Sequence, residues 1–168
     1  MTKGPHRRKS KPAARSSKTT EITSHRAGSK PAKTESPVRK LPLGLEATLE
    51  RVVQHENTIQ AFNPALPAVL STPSMIGMME HASVLAIHSE LPAGTISVGT
   101  RIEVDHLKAV PPGATVRFWA RLVGHQGRFM VFEVEAKSGE HVIGRGRVFR
   151  AIVEPAKHGD KAKSRLQT

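Results

Sequence analysis

No cysteine occurs among the 168 residues, which excludes disulfides, thiolate nucleophiles and zinc–thiolate centres. No apolar run approaches the roughly 18 residues that a membrane-spanning helix needs. The N-terminus also lacks the apolar stretch of a secretory signal, so a cytoplasmic location is the expectation. Its basic, serine-rich character resembles an organellar transit peptide, but Gly4, Pro5, Pro12, Gly28 and Pro31 interrupt any amphipathic helix there. Acidic residues are scarce at both ends. Residues 1–40 hold 12 Lys/Arg against 2 Glu, and residues 155–168 hold 4 Lys/Arg against 1 Asp. Residues 41–154, with 10 Lys/Arg and 11 Asp/Glu, are nearly neutral. The formal net charge of +12 therefore belongs to the tails and not to a basic folded domain.

Residues 1–40 carry too few apolar side chains to offset the entropy of ordering, and disorder is expected there. A basic arm can neutralise nucleic-acid phosphates. This one has no interleaved aromatics for base stacking, so a solubilising tail is the favoured reading. The segment after Pro155 reads the same way. The folded domain is expected over residues 41–154.

Within it, residues 45–54 fit a strand better than a helix, because Val52, Val53 and Asn57 cluster at their end. Residues 57–70 hold two prolines, one of them in an Asn-Pro pair, and read as a loop. A helix follows to about His88, with Thr72 as its N-cap and Pro73 at the first helical position. Met75, Met79, Ala82 and Ala86 share one face of it, and only Ser74, Gly77, His81 and His88 form a polar strip. A helix with so little polar surface implies a sheet curled around it. The remaining chain supplies four alternating segments. The first puts Ile96, Val98, Ile102, Val104 and His106 on one face. The second has Val116, Phe118, Ala120 and Leu122 inward, and the third Met130, Phe132, Val134 and Ala136. In the last, Val142, Val148 and Ile152 share a face with Gly144, Gly146 and Arg150. Turns at 111–113, 124–127 and Ser138-Gly139 would join these into a four-strand antiparallel meander, an α+β pattern.

Three residues stand out chemically. A hydroxyl, a carboxylate and an imidazole are the groups that attack a carbonyl or activate a water that does so. Glu80 sits on an apolar stripe of the helix, where a carboxylate needs a partner or a solvent edge. His106 continues the Ile102–Val104 face, where a core histidine satisfied by backbone is the plainer reading. Thr72 fits a cap, and a helix start can also hold an oxyanion. Thr72 and Glu80 are about 12 Å apart along a helix, too far for direct contact within it; an intervening imidazole could bridge part of that span, or one group could come from a second subunit. Gly99, in mid-strand, permits a bulge or close ligand approach. Arg150, read alone, fits a solvated guanidinium at a bent strand end better than an anion contact. No HExxH motif or i, i+4 histidine pair occurs, so no metal is expected.

These residues lie in motifs. TPxMIxxME at 72–80, SVGT at 97–100, VxHL at 104–107 and PxGxxV at 111–116 occur in an order that resembles the fluoroacetyl-CoA thioesterase-like family of hot-dog-fold thioesterases. The resemblance spans about Leu43 to Val153 and neither tail. It implies an antiparallel sheet wrapped around one long central helix, usually a homodimer with sites at the subunit interface, and hydrolysis of an acyl-CoA thioester. It implies Thr72, Glu80 and His106 as catalytic residues, with Gly99 and Arg150 at the substrate. No cofactor is implied beyond the CoA thioester as substrate. The loop QAFNPALPAVL departs from the family's aromatic lid, its one aromatic being Phe62, which weakens any claim to fluoroacetyl selectivity. The alternatives are a non-catalytic acyl-CoA or acyl-carrier binding module, and an interaction protein recruited to nucleic acid by its tails.

Overall fold

The helix starts one residue earlier than its sequence suggests, and that displacement frees a reactive group. In the computed structural model, which describes residues 40–155, helix α1 spans Thr72–Ile87. The cap is Ser71, not Thr72. Ser71 has extended backbone and its Oγ accepts from the Ser74 N–H at 3.3 Å. Thr72 is then the first helical residue and Pro73 the second, where the missing N–H still costs nothing. Both Ser and Thr are good caps, so propensity alone does not choose between them.

Five strands surround this helix: β1 Glu46–Val52, β2 Ile96–His106, β3 Thr115–Gln126, β4 Phe129–Ser138 and β5 His141–Val153. They form one antiparallel sheet in the order β1-β3-β4-β5-β2, and α1 contacts all five. Met75, Met79, Ala82 and Ala86 are buried against it as expected. So are the alternating residues of β3 and β4 from Val116 to Leu122 and from Met130 to Ala136. Each large side chain buried here, Phe118, Phe132, Met75 and Met79 among them, contributes about 1.5–3 kcal/mol. The hairpins β3–β4 and β4–β5 turn through Gly127 and Gly139, both at positive φ. The predicted tails fall largely on residues 1–39 and 156–168, outside the described residues.

The four-strand meander is corrected to three. β3, β4 and β5 follow one another, but β2 pairs with β5 at the far edge of the sheet. A β2–β3 hairpin would need a tight turn. Instead, the 107–114 connector is tied to other segments: Leu70 N–H donates to Val110 O at 2.7 Å, and Gly113 N–H to Val53 O at 2.9 Å. It delivers β3 beside β1.

A second correction concerns faces. In β2 the register shifts between Gly99 and Arg101, leaving Thr100 as an extra residue whose hydroxyl donates to Phe149 O at 3.1 Å. The bulge resets the alternation. Ser97 and Gly99 therefore join Ile102, Val104 and His106 on the helix-facing side, opposite Ile152, Arg150 and Val148. Ile96 and Val98 turn outward. A similar shift in β5 between Gly144 and Val142 moves Val142 to the outer face and buries Ile143 instead.

The outer face of the sheet is charged. Across the five strands Glu46, Arg121, Glu133, Arg147 and Glu103 stand side by side in alternating sign. Opposite charges so placed stabilise a sheet by about 0.2–1 kcal/mol per pair.

Candidate active site

With Ser71 serving as cap, the Thr72 hydroxyl is left to the strand opposite. Its Oγ1 lies 2.9 Å from Nδ1 of His106, the last residue of β2. His106 is thus not a core histidine satisfied by backbone. Its Nε2 is the one buried side-chain polar atom without a hydrogen-bond partner among the described residues. With the ring proton on Nε2, the threonine donates to Nδ1, and the imidazole is placed to take that proton. A cavity of about 200 Å³ lined by Val69, Leu70, His106, Leu107, Lys108 and Ala109 opens beside the ring.

The first turn of the helix has little to offer an oxyanion. Ser71 N–H donates to Asn57 O, Ser74 N–H to Ser71 Oγ and Met75 N–H to Ser71 O. Pro73 has none. The Thr72 N–H is the remaining donor of that turn.

Two turns along α1, Glu80 belongs to a different cluster. Its Oε1 accepts from Arg150 Nη1 at 3.3 Å. Arg150 is buried, with its side chain only 6% exposed against 31% for Glu80. This corrects the reading of Arg150 as a solvated guanidinium: its strand does not bend outward, and the side chain points into the space between sheet and helix. Burial pushes the guanidinium below its ordinary pKa, and the charge and hydrogen bond of Glu80 pull it back up. Ser97 completes the set. Its Oγ accepts from Arg150 Nε at 3.1 Å and its carbonyl accepts from Nη2 at 2.9 Å. Sequence reasoning missed Ser97 because plain alternation puts it on the outer face. The available signal was the Gly99-Thr100 pair in mid-strand, a composition that favours a bulge.

Gly99 is required by this cluster. A Cβ there would overlap Glu80 Oε1 and lie 3.3 Å from its Cδ. The carboxylate is therefore packed directly on the strand backbone. Because the atom displaced is the tip of a side chain, Gly99→Ala is expected to fold normally. It should lower turnover roughly 10-fold by moving Glu80, a misplacement that proximity effects make costly. Steady-state kinetics beside a melting curve checks this, and an unchanged kcat would count against Glu80 in the site.

Within one chain, then, the predicted residues form two groups. Thr72 and His106 meet; Glu80, Gly99 and Arg150 meet; and no contact joins Glu80 to His106. Among the described residues no three His, Cys, Asp or Glu converge as a metal site would require. No helix there is long and apolar enough to cross a membrane. Phe62, in the loop before the helix, is 67% exposed. A hollow of about 340 Å³, lined by Trp119, Glu135 and Arg145 among others, lies on the charged outer face and holds no hydroxyl–imidazole pair.

Residues 53–156 match the family described as fluoroacetyl-CoA-specific thioesterase. The chain is 34% identical over 129 residues to a fluoroacetyl-CoA thioesterase from Streptantibioticus cattleyicolor, covering 73% of this chain and 93% of that one. A solved structure of a mutant of the fluoroacetyl-CoA protein in complex with acetyl-CoA superposes with a TM-score of 0.70 at 33% identity, covering 74% of this chain and 98% of that one. A hot-dog-like protein from Thermanaerovibrio acidaminovorans gives a TM-score of 0.68 at 24% identity over 74% and 92% of the two chains, a likeness of fold alone.

Proposed function

This chain belongs to the fluoroacetyl-CoA-specific thioesterase family and hydrolyses an acyl-CoA thioester to the free acid and CoA, and we propose that it does so with Thr72, His106 and Glu80 at the boundary of a homodimer. The observation that carries the proposal is the 2.9 Å contact between Thr72 Oγ1 and His106 Nδ1, made by a hydroxyl that the cap does not use. In a threonine route His106 takes the Thr72 proton as the threonine oxygen attacks the thioester carbonyl; the C–S bond breaks, the imidazolium protonates the departing CoA sulfur, and a water activated by the same imidazole hydrolyses the acyl-threonine to the free acid and restores the hydroxyl. In a water route Thr72 takes the proton of the attacking water as it passes its own to His106, and the imidazolium protonates the departing sulfur. The Thr72 N–H faces the developing oxyanion. Direct attack by Glu80, giving an anhydride, is a variant of the same site. Thiol release measured across a panel of short-chain acyl-CoAs tests the reading, and binding without released thiol would overturn it.

The homodimer is supported by the edge of the sheet. Among the described residues β2 is long and unpaired on one side, and Ile96, Ile102 and Leu107 on or next to it are 46%, 40% and 47% exposed. Such an edge invites a partner strand. Antiparallel pairing of two β2 strands sets the Gly99 end of one against the His106 end of the other. Glu80 of one protomer then approaches the unpartnered Nε2 of its mate, which accounts for the two half-sites in each chain. A mixing experiment separates this arrangement from a site within one chain. Thr72→Ala and Glu80→Gln homodimers, each strongly impaired, should recover about one quarter of wild-type activity when exchanged, because half the dimers become mixed and each mixed dimer carries one intact site. With sites confined to single chains, exchange restores nothing.

A further inference from the structure

We infer that Ser97 is a positioning residue of the hydrolase, acting on Glu80 through Arg150. The inference rests on the reading of Glu80 as part of the catalytic site. Three nitrogens of the Arg150 guanidinium make hydrogen bonds, and Ser97 accepts two of them. The Nε bond goes to its Oγ and the Nη2 bond to its carbonyl, so one residue grips two points of a planar fork and fixes its plane. The third bond, from Nη1, is the one that reaches Glu80 Oε1. That oxygen is pressed on its other side against Gly99. Glu80 is thereby held between a cation that cannot swing and a backbone that cannot recede, with Oε2 left for chemistry.

The bulge makes this possible. If Ser97 to His106 alternated regularly, with Thr100 paired and not bulged, Ser97 and His106 would fall on opposite faces of β2, and Arg150 would find no acceptor on its own strand pair. The Thr100 hydroxyl bond to Phe149 O locks the bulge beside the arginine. A buried guanidinium whose Nε lost its acceptor would rotate to satisfy itself and draw Glu80 with it.

The test is a double-mutant cycle with kcat and KM measured by thiol release on an acyl-CoA the wild-type protein accepts. Ser97→Ala is expected to lower kcat roughly 10-fold with KM changed less than about twofold, since it misplaces a reacting group and leaves substrate binding intact. In a Glu80→Gln background the same substitution should change kcat less than about twofold, because residues that act through one another are not additive. Ser97→Thr, which keeps the acceptor oxygen, should stay within about threefold of wild type. Equal losses in both backgrounds, or a threonine variant no better than alanine, would overturn the assignment. Absence of thiol release by the wild-type protein on every acyl-CoA is a different result, and it removes the hydrolase reading on which the assignment rests.

Discussion

His106→Ala is expected to lower kcat on an accepted acyl-CoA by at least about 10²-fold, the range lost when a general base is removed. Thr72→Ala should cost at least as much, roughly 10²-fold or more, because its hydroxyl and the imidazole act as one unit. The double variant should then be little worse than either single one. Stability should change little in the threonine variant. Thr72 is exposed, and the cap bond belongs to Ser71. Losing the cap, by contrast, would cost the helix about 1 kcal/mol. Ser71→Ala is therefore the control that separates a folding defect from a chemical one: it should lower the melting temperature more than Thr72→Ala while leaving more activity. Near-wild-type turnover in both the His106→Ala and Thr72→Ala proteins would remove the pair from the mechanism.

Gly146→Ala is expected to be the most destabilising single-methyl change in the sheet. A Cβ at this position in β5 would overlap the Glu103 carbonyl and lie 2.7 Å from Val104 Cα. Both are backbone atoms of β2, so no side chain can swing away. The strand itself must move, and overpacking of this kind costs about 3 kcal/mol, the upper end of its usual range. For a domain of this size the melting temperature should fall by roughly 10 °C. Activity should fall too, since β2 carries Ser97, Gly99 and His106. Gly144, two residues earlier, provides the comparison. There the added methyl meets the Met75 Sδ at 2.6 Å and Cε at 2.7 Å, the end of a flexible side chain, and the only backbone atom near it, Asp105 O, is 3.1 Å away, short of overlap. Gly144→Ala should cost about 1 kcal/mol. Equal melting temperatures for the two variants would show that the closeness of β2 to β5 is not what limits the sheet.

Much of this molecule was legible before its structure. The Met75–Met79–Ala82–Ala86 stripe announced a helix wrapped by sheet, and strict alternation from Val116 to Leu122 and from Met130 to Ala136 placed β3 and β4 on the correct faces. Pairing of β2 with β5 was not legible. Alternation specifies which side of a strand is buried and says nothing about which neighbour it takes. The N-cap was misplaced by one because adjacent Ser71 and Thr72 satisfy the same local rule. For the site, residue type and motif order pointed to Thr72, His106, Glu80, Gly99 and Arg150, and the structure draws them into two clusters. Ser97 was hidden because one extra residue in β2 reverses the phase of everything before it.

That extra residue also governs what lengths of β2 the protein can tolerate. Deleting Thr100 would straighten the strand yet leave Ser97 and Gly99 on the same side as Ile102, Val104 and His106, since the residue removed is the unpaired one. Deleting Val98 instead would absorb the bulge and draw Thr100 into the place of Gly99, landing its Cβ on the Glu80 carboxylate. Two single-residue deletions, two positions apart, thus have opposite outcomes for the site. Both deletions shorten the spacing between Ser97 and His106 equally, so what β2 specifies is which residue stands opposite Arg150, and not only how many lie between the two.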